Sequence, residues 1–112
     1  MPKLVVRSFA ISLDGFSAAP GQSQEAPFGK DGLRLMNWVF ATKHFNAMFG
    51  REGGVEGIDN DFMARSDHQI GASIMGRHMF GPPSDVKDRE SWKGWWGDNP
   101  PYHHPVFVLT HE

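Results

Sequence analysis

The Gly-Arg-His run at residues 76–78 contains the residue types in this chain that most directly suggest chemistry. A guanidinium offers fixed N–H donors to phosphate oxygens, and a glycine before it lets a ligand approach the backbone. The run directly follows an apolar segment, residues 70–75, of the kind found in strands buried on both faces of a parallel sheet. Because ligands of open α/β sheets bind outside the carboxyl ends of strands, we predict a phosphate contact at Gly76, Arg77 and His78. The local sequence leaves open an alternative, a strand and turn followed by a solvated arginine.

Other common kinds of site lack their signatures. The six histidines show no His-x-x-x-His pair, so we expect no metal site: His44, His68, His78, His103, His104 and His111. The absence of cysteine excludes thiolate nucleophiles, disulfides and Cys-ligated zinc. No Gly-x-Ser-x-Gly run occurs, and the glycine-rich residues 50–54 lack the Lys-Ser/Thr end of a P-loop.

Composition indicates one globular domain over residues 1–112. The apolar fraction is 39% and the charged fraction is 21%, as in soluble domains. The net charge is −2 with no basic run, so nucleic acid and anionic membranes are not expected partners. No apolar run is long enough to span a membrane, and the amino terminus lacks a signal peptide's apolar core, so a cytoplasmic location is expected.

The elements that would position the Gly-Arg-His run begin with a predicted strand. Residues 3–13 are rich in β-forming residues and end in a turn signal, Ser12-Leu13-Asp14-Gly15, so we predict a first buried strand. Residues 16–30 contain three Gly/Pro breaks among small polar residues. A loop of this length is either a functional lid or a plain surface loop.

Two helices are predicted between the first strand and residue 70. Asp31 is expected to cap a helix that ends at Gly50, and Asn60 or Asp61 to cap a shorter one running to about Gln69. The first helix would cover one face of a sheet with apolar residues at helical spacing: Leu33, Met36, Phe40 and Ala47. The side chains expected to turn inward from the second helix are Phe62 and Met63.

An irregular link, residues 84–104, joins the Gly-Arg-His region to a final apolar run, residues 105–110, which predicts another buried strand. The link is rich in aromatic residues: Trp92, Trp95, Trp96 and Tyr102. Such a cluster favours a hydrophobic plug or a dimer contact, and stacking on a flat heterocycle is the alternative. The order of elements predicts parallel strands joined by right-handed crossovers.

Three separated segments resemble one protein family, in that family's order and spacing. They read Ser-Phe-Ala-Ile-Ser-Leu-Asp-Gly at 8–15, Ile-Gly-Ala-Ser-Ile-Met-Gly-Arg-His-Met-Phe at 70–80, and Val-Phe-Val-Leu-Thr-His at 106–111. They are similar to segments of the dihydrofolate reductase-like proteins, and most closely to the reductase domain of the bifunctional riboflavin-biosynthesis deaminase-reductase. The link at 92–105 is similar to that of small stand-alone members of this branch.

The resemblance implies a fold and a function. The fold would be α/β, with a three-layer, mostly parallel twisted sheet flanked by helices. The function would be NADPH-dependent reduction of a pterin- or aminopyrimidine-like molecule, such as 5-amino-6-(5-phosphoribosylamino)uracil, or of an unidentified carbonyl or imine. In such a site the cofactor carries out the hydride chemistry, and the protein orients it and excludes water.

The resemblance also assigns residues to the site. The cofactor contacts would be Ala10 and Ile11 along the nicotinamide, Gly76, Arg77 and His78 at the phosphates, and Thr110 and His111 near the adenosine ribose and its 2′-phosphate. Ser12 and Asp14 would border the substrate, and Asn37 and Trp38 are further pocket candidates, although Trp38 equally suits a core position. The residue that supplies the proton is not identified.

Two departures from the family pattern bear on function. Folate-reducing members carry a carboxylate on the first helix, and residues 35–39 contain none, which argues against true dihydrofolate reductase activity. Family domains also continue past the last strand identified here, so we expect the chain to be the amino-terminal portion of such a domain. Otherwise two copies complete each other's sheets as a homodimer, or the short form folds without full cofactor binding. The second functional hypothesis is a non-catalytic, self-associating relative or fragment of the same fold.

Overall fold

Among the described residues the chain forms seven short elements of regular structure, of which the first begins at Gly32. The computed structural model describes residues 1–7, 9–82 and 85–111. In chain order the elements are a 3₁₀ helix Gly32–Met36, α1 Asn37–Phe40, α2 Lys43–Met48, α3 Ile58–Ser66, β1 Ser73–Gly76, α4 Arg77–Phe80 and β2 Val106–Leu109. The structure is therefore mixed α/β. No helix in these described ranges has the length and apolarity needed to cross a membrane.

The sheet consists of β1 and β2, which pair in parallel. The register sets Ser73 opposite Val106 and Gly76 opposite Leu109. The predicted strand, Gly-Arg corner and helix at residues 70–80 are confirmed, as are the final strand and the parallel pairing. The expectation that these strands are buried on both faces is wrong, because half-buried and exposed residues alternate along each of them.

The predicted first strand, residues 3–13, is absent from the sheet among the described residues, and Ser8 lies outside those residues. The segment instead leaves Arg7 at the carboxyl end of α3, where its guanidinium donates hydrogen bonds to the carbonyl oxygens of Arg65 (2.8 Å) and His68 (3.1 Å). A cation suits the negative end of a helix dipole. A high β propensity therefore did not suffice here, because a strand also needs a neighbouring backbone to pair with.

The predicted helix from Asp31 to Gly50 is divided into three pieces. Asp31 does not cap it, since its backbone is left-handed (φ 59°) and its side chain makes no capping hydrogen bond. Thr42 starts α2 instead: it is 1% exposed, its Oγ1 accepts a hydrogen bond from the Phe45 N–H (3.2 Å) and donates one to the Val39 carbonyl (2.7 Å). The buried Thr42 hydroxyl therefore performs at the start of α2 the capping role that was predicted for Asp31.

The carboxyl end of α2 agrees with the sequence. Gly50 takes the predicted left-handed conformation (φ 68°), and its N–H donates to the Ala47 carbonyl at 3.0 Å. The next N–H, of Arg51, donates to the Asn46 carbonyl at 2.9 Å. This pair of bonds is a Schellman motif, which satisfies carbonyls that the end of a helix would otherwise leave unpaired.

The predicted capping of α3 by Asn60 or Asp61 is wrong. The helix begins after Gly57 (φ 136°) and ends before Gln69. Asn60 caps a different helix, because its Oδ1 accepts a hydrogen bond from the His44 N–H at 2.7 Å, in the first turn of α2. Met63 is half-buried as predicted, whereas Phe62 is exposed and has the Arg65 guanidinium 4.5 Å from its ring centre.

The apolar core is small. Val39 is the one apolar side chain that is buried among the described residues. The 3₁₀ helix and α1–α3 pack on one another and α4 packs on the strands, but in the described ranges the first group does not contact the sheet. The accessible surface is 9017 Å², against roughly 6,200 Å² for a folded monomer of this mass. The radius of gyration is 15.2 Å, against about 13 Å for a compact chain of this length.

Replacing Thr42 by valine is expected to lower the free energy of unfolding by about 2 kcal/mol, because it removes the cap of α2 and a buried hydrogen bond without changing the side-chain shape. Urea denaturation followed by far-UV circular dichroism measures the change. Thr42→Ser keeps the hydroxyl and serves as the control, with a smaller loss expected. Equal stability of Thr42→Val and the wild type would show that the hydroxyl does not stabilise the turn.

Candidate functional site

Five of the residues predicted to contact the cofactor lie at one edge of the sheet. Because β1 and β2 are parallel and Gly76 pairs with Leu109, both strands end at the same edge. The residues that follow them directly are Arg77 and His78 after β1, and Thr110 and His111 after β2. The structure thus brings together the two segments that the sequence assigned to phosphate and ribose. We call this edge the strand-end corner: Gly76, Arg77, His78, Thr110 and His111.

Arg77 is the charged group at the strand-end corner, and it is half-buried. Its guanidinium folds back over the α-carbon of Gly81, which is buried, so that a side chain at position 81 would overlap it. Within the described part of the chain, the Arg77 guanidinium makes no hydrogen bond or ion pair. A partly desolvated cation with unused N–H donors is suited to binding an anion.

The rest of the strand-end corner is accessible. Among the described residues other than Gly76 and its two chain neighbours, no heavy atom lies within 4 Å of the position that a β-carbon on Gly76 would occupy. His78, Thr110 and His111 are exposed. A phosphate group could therefore approach the backbone at Gly76.

A second site, an open cleft of about 890 Å³, lies beside the loop that precedes the 3₁₀ helix. Three of the four predicted substrate residues line it, namely Ser12, Asp14 and Asn37. Trp38 is half-buried and does not line it. None of the residues described as lining the cleft belongs to the strand-end corner. The cleft therefore gathers the predicted substrate residues apart from the predicted phosphate residues.

Ser12 organises the turn that places Asp14 in the cleft. Its Oγ donates a hydrogen bond to the Asp14 carboxylate and accepts one from the Phe16 N–H at 3.0 Å. The Ser12 N–H donates a hydrogen bond to the Phe16 carbonyl (2.8 Å), and the Ser12 carbonyl accepts one from the Gly15 N–H (2.9 Å). The carboxylate of Asp14 is thus held in one orientation while remaining exposed.

The cleft also contains polar residues that the sequence analysis did not assign to a site: Gln22, Asp31 and Arg34. Together with Asp14 and Asn37 they supply carboxylate, amide and guanidinium groups, and the wall also includes apolar residues such as Phe16 and Leu35. Carboxylates accept hydrogen bonds from amino groups, and amides both donate and accept. Spacing in the sequence could not identify Gln22, because the fold of the loop brings it to the cleft.

The loop beside the cleft is ordered by its own backbone. The Ala19 N–H donates to the Phe28 carbonyl at 2.8 Å, and the Lys30 N–H donates to the Pro20 carbonyl at 3.1 Å. These bonds join the two ends of the segment predicted as a lid or a surface loop, and they hold it as one wall of the cleft. Whether the segment closes over a ligand stays a prediction.

The two residues predicted to face the nicotinamide lie outside both sites. Ala10 is half-buried and Ile11 is exposed, and neither lines the cleft. Both belong to the segment predicted as the first strand, which does not pair with the sheet. Their contact with a cofactor therefore stays a prediction, and it would need that segment to lie beside the strand-end corner.

The tryptophans of the link pack on protein rather than on a common open face. Trp92 and Trp95 meet edge to face at 5.1 Å, and the Trp92 indole N–H donates to the Phe80 carbonyl at 3.1 Å. Trp96 lies 5.6 Å from the ring of Phe49 at the end of α2. These contacts favour the structural interpretation of the cluster, since they tie the link to α4 and to the helices.

Two histidines have defined partners. The His44 ring lies 3.2 Å from the Asp67 carboxylate, between α2 and α3. The His104 ring is hydrogen-bonded to the Ser73 hydroxyl at 2.7 Å, at the start of β1. No group of three His, Asp or Glu side chains with metal-binding geometry occurs in the ranges that the structure describes.

A smaller basic cleft of about 490 Å³ was not predicted from the sequence. It is lined by Arg7, Phe62, Arg65, Ser66 and His68. Arg7 comes from the amino-terminal segment and the others from α3 and its end, so only the fold brings them together. Both arginines already have partners here, Arg7 on two carbonyls and Arg65 on the Phe62 ring.

Comparison of the chain with family models, with curated proteins and with solved structures finds no match in any of the three. What the chain does is therefore inferred from its own residues and their geometry.

Proposed function

We propose that the chain is an NADPH-dependent reductase of the dihydrofolate reductase-like class, acting on a pterin- or aminopyrimidine-like heterocycle. NADPH would supply a hydride to a C=N or C=O bond of that heterocycle, and a proton would complete the reduction. The proposal includes the full three-layer sheet of that class, which requires further strands beside β1 and β2.

The observation that carries the proposal is the state of Arg77. Arg77 is half-buried, its guanidinium has no hydrogen-bond partner in the described part of the chain, and the residue directly follows the carboxyl end of a parallel strand. Diphosphates of nucleotide cofactors bind at that end of α/β sheets. The residues present fit a phosphate group, because Gly76, whose β-carbon position is open, directly precedes Arg77 in the chain.

The neighbouring strand end supports the choice of NADPH. Thr110 and His111 follow β2 at the same edge, where a hydroxyl and an imidazole could hydrogen-bond a ribose 2′-phosphate. The open cleft supports the substrate class, since Asp14 and Asp31 offer carboxylates to the N–H groups of an aminopyrimidine. Ser12 would fix the orientation of Asp14.

Titration with NADPH, followed by quenching of tryptophan fluorescence, tests the proposal. The wild type is expected to show saturable binding, and Arg77→Ala to weaken it about tenfold or more, because a charge-assisted hydrogen bond contributes at least 1.4 kcal/mol or so. His111→Ala is expected to reduce the preference for NADPH over NADH. Far-UV circular dichroism shows whether each variant is folded.

The matched control is Arg89→Ala, which removes an exposed arginine outside both sites. Its dissociation constant for NADPH should lie within about twofold of that of the wild type. This is well below the tenfold increase, equivalent to about 1.4 kcal/mol, that is expected for Arg77→Ala. If the wild type shows no saturable binding, or if Arg77→Ala and Arg89→Ala bind equally, the reductase assignment is wrong.

A second candidate function is favoured by the exposed apolar surface. A non-catalytic relative of the same fold would work through self-association, and the excess of accessible surface over that of a compact monomer gives it area to bury. Light scattering separates the candidates, because a monomer that binds NADPH does not fit the second one.

A further inference from the structure

One face of the two-stranded sheet is apolar and uncovered. Ile74 and Phe107 are opposite each other in the register and are 57% and 60% exposed, and Leu109 beside them is 66% exposed. Each strand also keeps one edge without a strand partner among the described residues. A sheet of two short strands gains stability when a further strand extends it.

The same chain carries a segment with the composition of a strand and no sheet to join. Residues 3–6 read Lys-Leu-Val-Val, and among the described residues they belong to no sheet. Leu4 and Val6, which lie on the same side of an extended backbone, are both more than four-fifths exposed. Arg7 fixes only the end of this segment, at α3. The segment can therefore extend away from its own sheet.

The accessible surface area indicates how large an interface this chain could form. The accessible surface of 9017 Å² exceeds the value for a compact monomer by about 2,800 Å². A standard interface buries about 800 Å² per partner, and obligate dimers bury more. The excess is thus enough for an obligate interface, and the small net charge of −2 adds little repulsion between two copies.

We infer that two copies of this chain associate by exchanging their amino-terminal segments. Residues 3–6 of each copy extend an open edge of the other copy's β1–β2 sheet, and Leu4 and Val6 lie beside the exposed face formed by Ile74, Phe107 and Leu109. The exchange is reciprocal, so it closes as a dimer rather than growing into a filament. The inference rests on the self-association of the second candidate function and does not depend on NADPH binding.

Sedimentation equilibrium tests the closed dimer. The expected mass is twice the chain mass of 12.5 kDa, about 25 kDa, with dissociation on dilution. Hydrogen exchange is expected to show amides 4–6 protected in the dimer and unprotected after dilution. A monomer at every concentration overturns the inference, and so does a mass that keeps rising with concentration.

Charge substitutions locate the surface. Val6→Lys (82% exposed) and Phe107→Lys are each expected to raise the dimer dissociation constant at least tenfold, because each would bury an ammonium group. Ile58→Lys is the matched control: it changes an exposed aliphatic residue (71%) on α3 and should leave the constant within about twofold. If the dimer forms but neither Val6→Lys nor Phe107→Lys weakens it more than Ile58→Lys does, self-association stands and the exchange is wrong.

The absence of cysteine permits a clean proximity test. A mixture of the Val6→Cys and Phe107→Cys proteins, treated with a short bis-maleimide, is expected to form a cross-linked pair of the two variants. The control mixture replaces Val6→Cys by Ser17→Cys, at an exposed residue outside the exchanged segment, and is not expected to form such a pair. Because each copy carries one thiol, the product reports only contacts between copies. Equal yields from both mixtures overturn the inference, whatever the outcome of the NADPH titration.

Discussion

Gly29→Ala is expected to lower the free energy of unfolding by at least about 4 kcal/mol, the largest effect of any single substitution considered. Gly29 has a left-handed backbone (φ 79°), which costs alanine about 1 kcal/mol. Its β-carbon would also lie 2.7 Å from the Pro20 carbonyl oxygen and overlap the Ala19 carbonyl. These atoms are backbone, so no side-chain rotation relieves the overlap. The cross-loop hydrogen bonds of Ala19 and Pro20 would break.

Gly21→Ala is the matched control for this prediction. Gly21 has nearly the same backbone angle (φ 78°), but nothing lies within 4 Å of its β-carbon position. It should therefore lose only the backbone contribution, about 1 kcal/mol. Urea denaturation of both variants measures the difference. Similar losses in the two variants would mean that the close approach of Gly29 to Ala19 does not constrain the loop.

The effect should extend to the cleft, because Ala19 and Pro20 form part of its wall. This connection between a turn glycine and a candidate substrate site was not visible in the sequence. The sequence shows only that residues 16–30 contain several glycines and prolines. Which glycine meets another backbone depends on how the loop folds back on itself, and that is a property of tertiary structure.

The part of the fold that the sequence predicted well is local. The strand, glycine, arginine and helix at residues 73–80 follow directly from an apolar run and a break after it. The left-handed Gly50 likewise needs only a helix that ends there. The turn at Gly76 and the cap at Gly50 depend on interactions within a few residues, so spacing is sufficient for them, whereas β1 also needs β2 as a partner.

The predictions that failed depended on distant partners. Residues 3–13 have strand composition, but pairing requires another backbone, and Arg7 is held at α3 instead. Asn60 has the chemistry of a helix cap and performs that role, but for α2 rather than for its own helix. Propensity identified the type of interaction in each case, and tertiary contacts chose the partner.

The candidate sites divide in the same way. Gly76, Arg77 and His78 are contiguous, so the sequence could group them, and the parallel register adds Thr110 and His111. The cleft instead combines the turn after residue 11 with the start of the helical region, which only the folded loop brings together. A family resemblance anticipated Ser12, Asp14 and Asn37 there, but not the neighbouring Asp31 and Arg34.

Gly54→Ala is expected to lower the free energy of unfolding by about 3 kcal/mol. Gly54 has a φ of 108°, and its β-carbon would lie 2.6 Å from both the α-carbon and the amide nitrogen of Lys43. The backbones meet there because Val55 bridges the start of α2: the Lys43 N–H donates to its carbonyl (3.0 Å), and its N–H donates to the Ala41 carbonyl (2.7 Å). Separating these backbones also removes the adjacent Lys43–Glu56 ion pair (2.6 Å).

Gly53→Ala is the control, since Gly53 also has a positive φ (84°) but nothing within 4 Å of its β-carbon position. Gly53→Ala should lower the free energy of unfolding by about 1 kcal/mol.

The ion pair gives a second readout: a hydrogen bond from Lys43 lowers the pKa of the exposed Glu56 carboxyl. The contribution of the Lys43–Glu56 pair to folding stability is therefore fully present above the ordinary glutamate pKa. It is lost as the pH falls through the lowered pKa of Glu56. Gly54→Ala should abolish that pKa shift, measured by NMR titration, whereas Gly53→Ala should keep it. A Glu56 titration that is unchanged in Gly54→Ala would show that the close backbone approach does not hold the pair together.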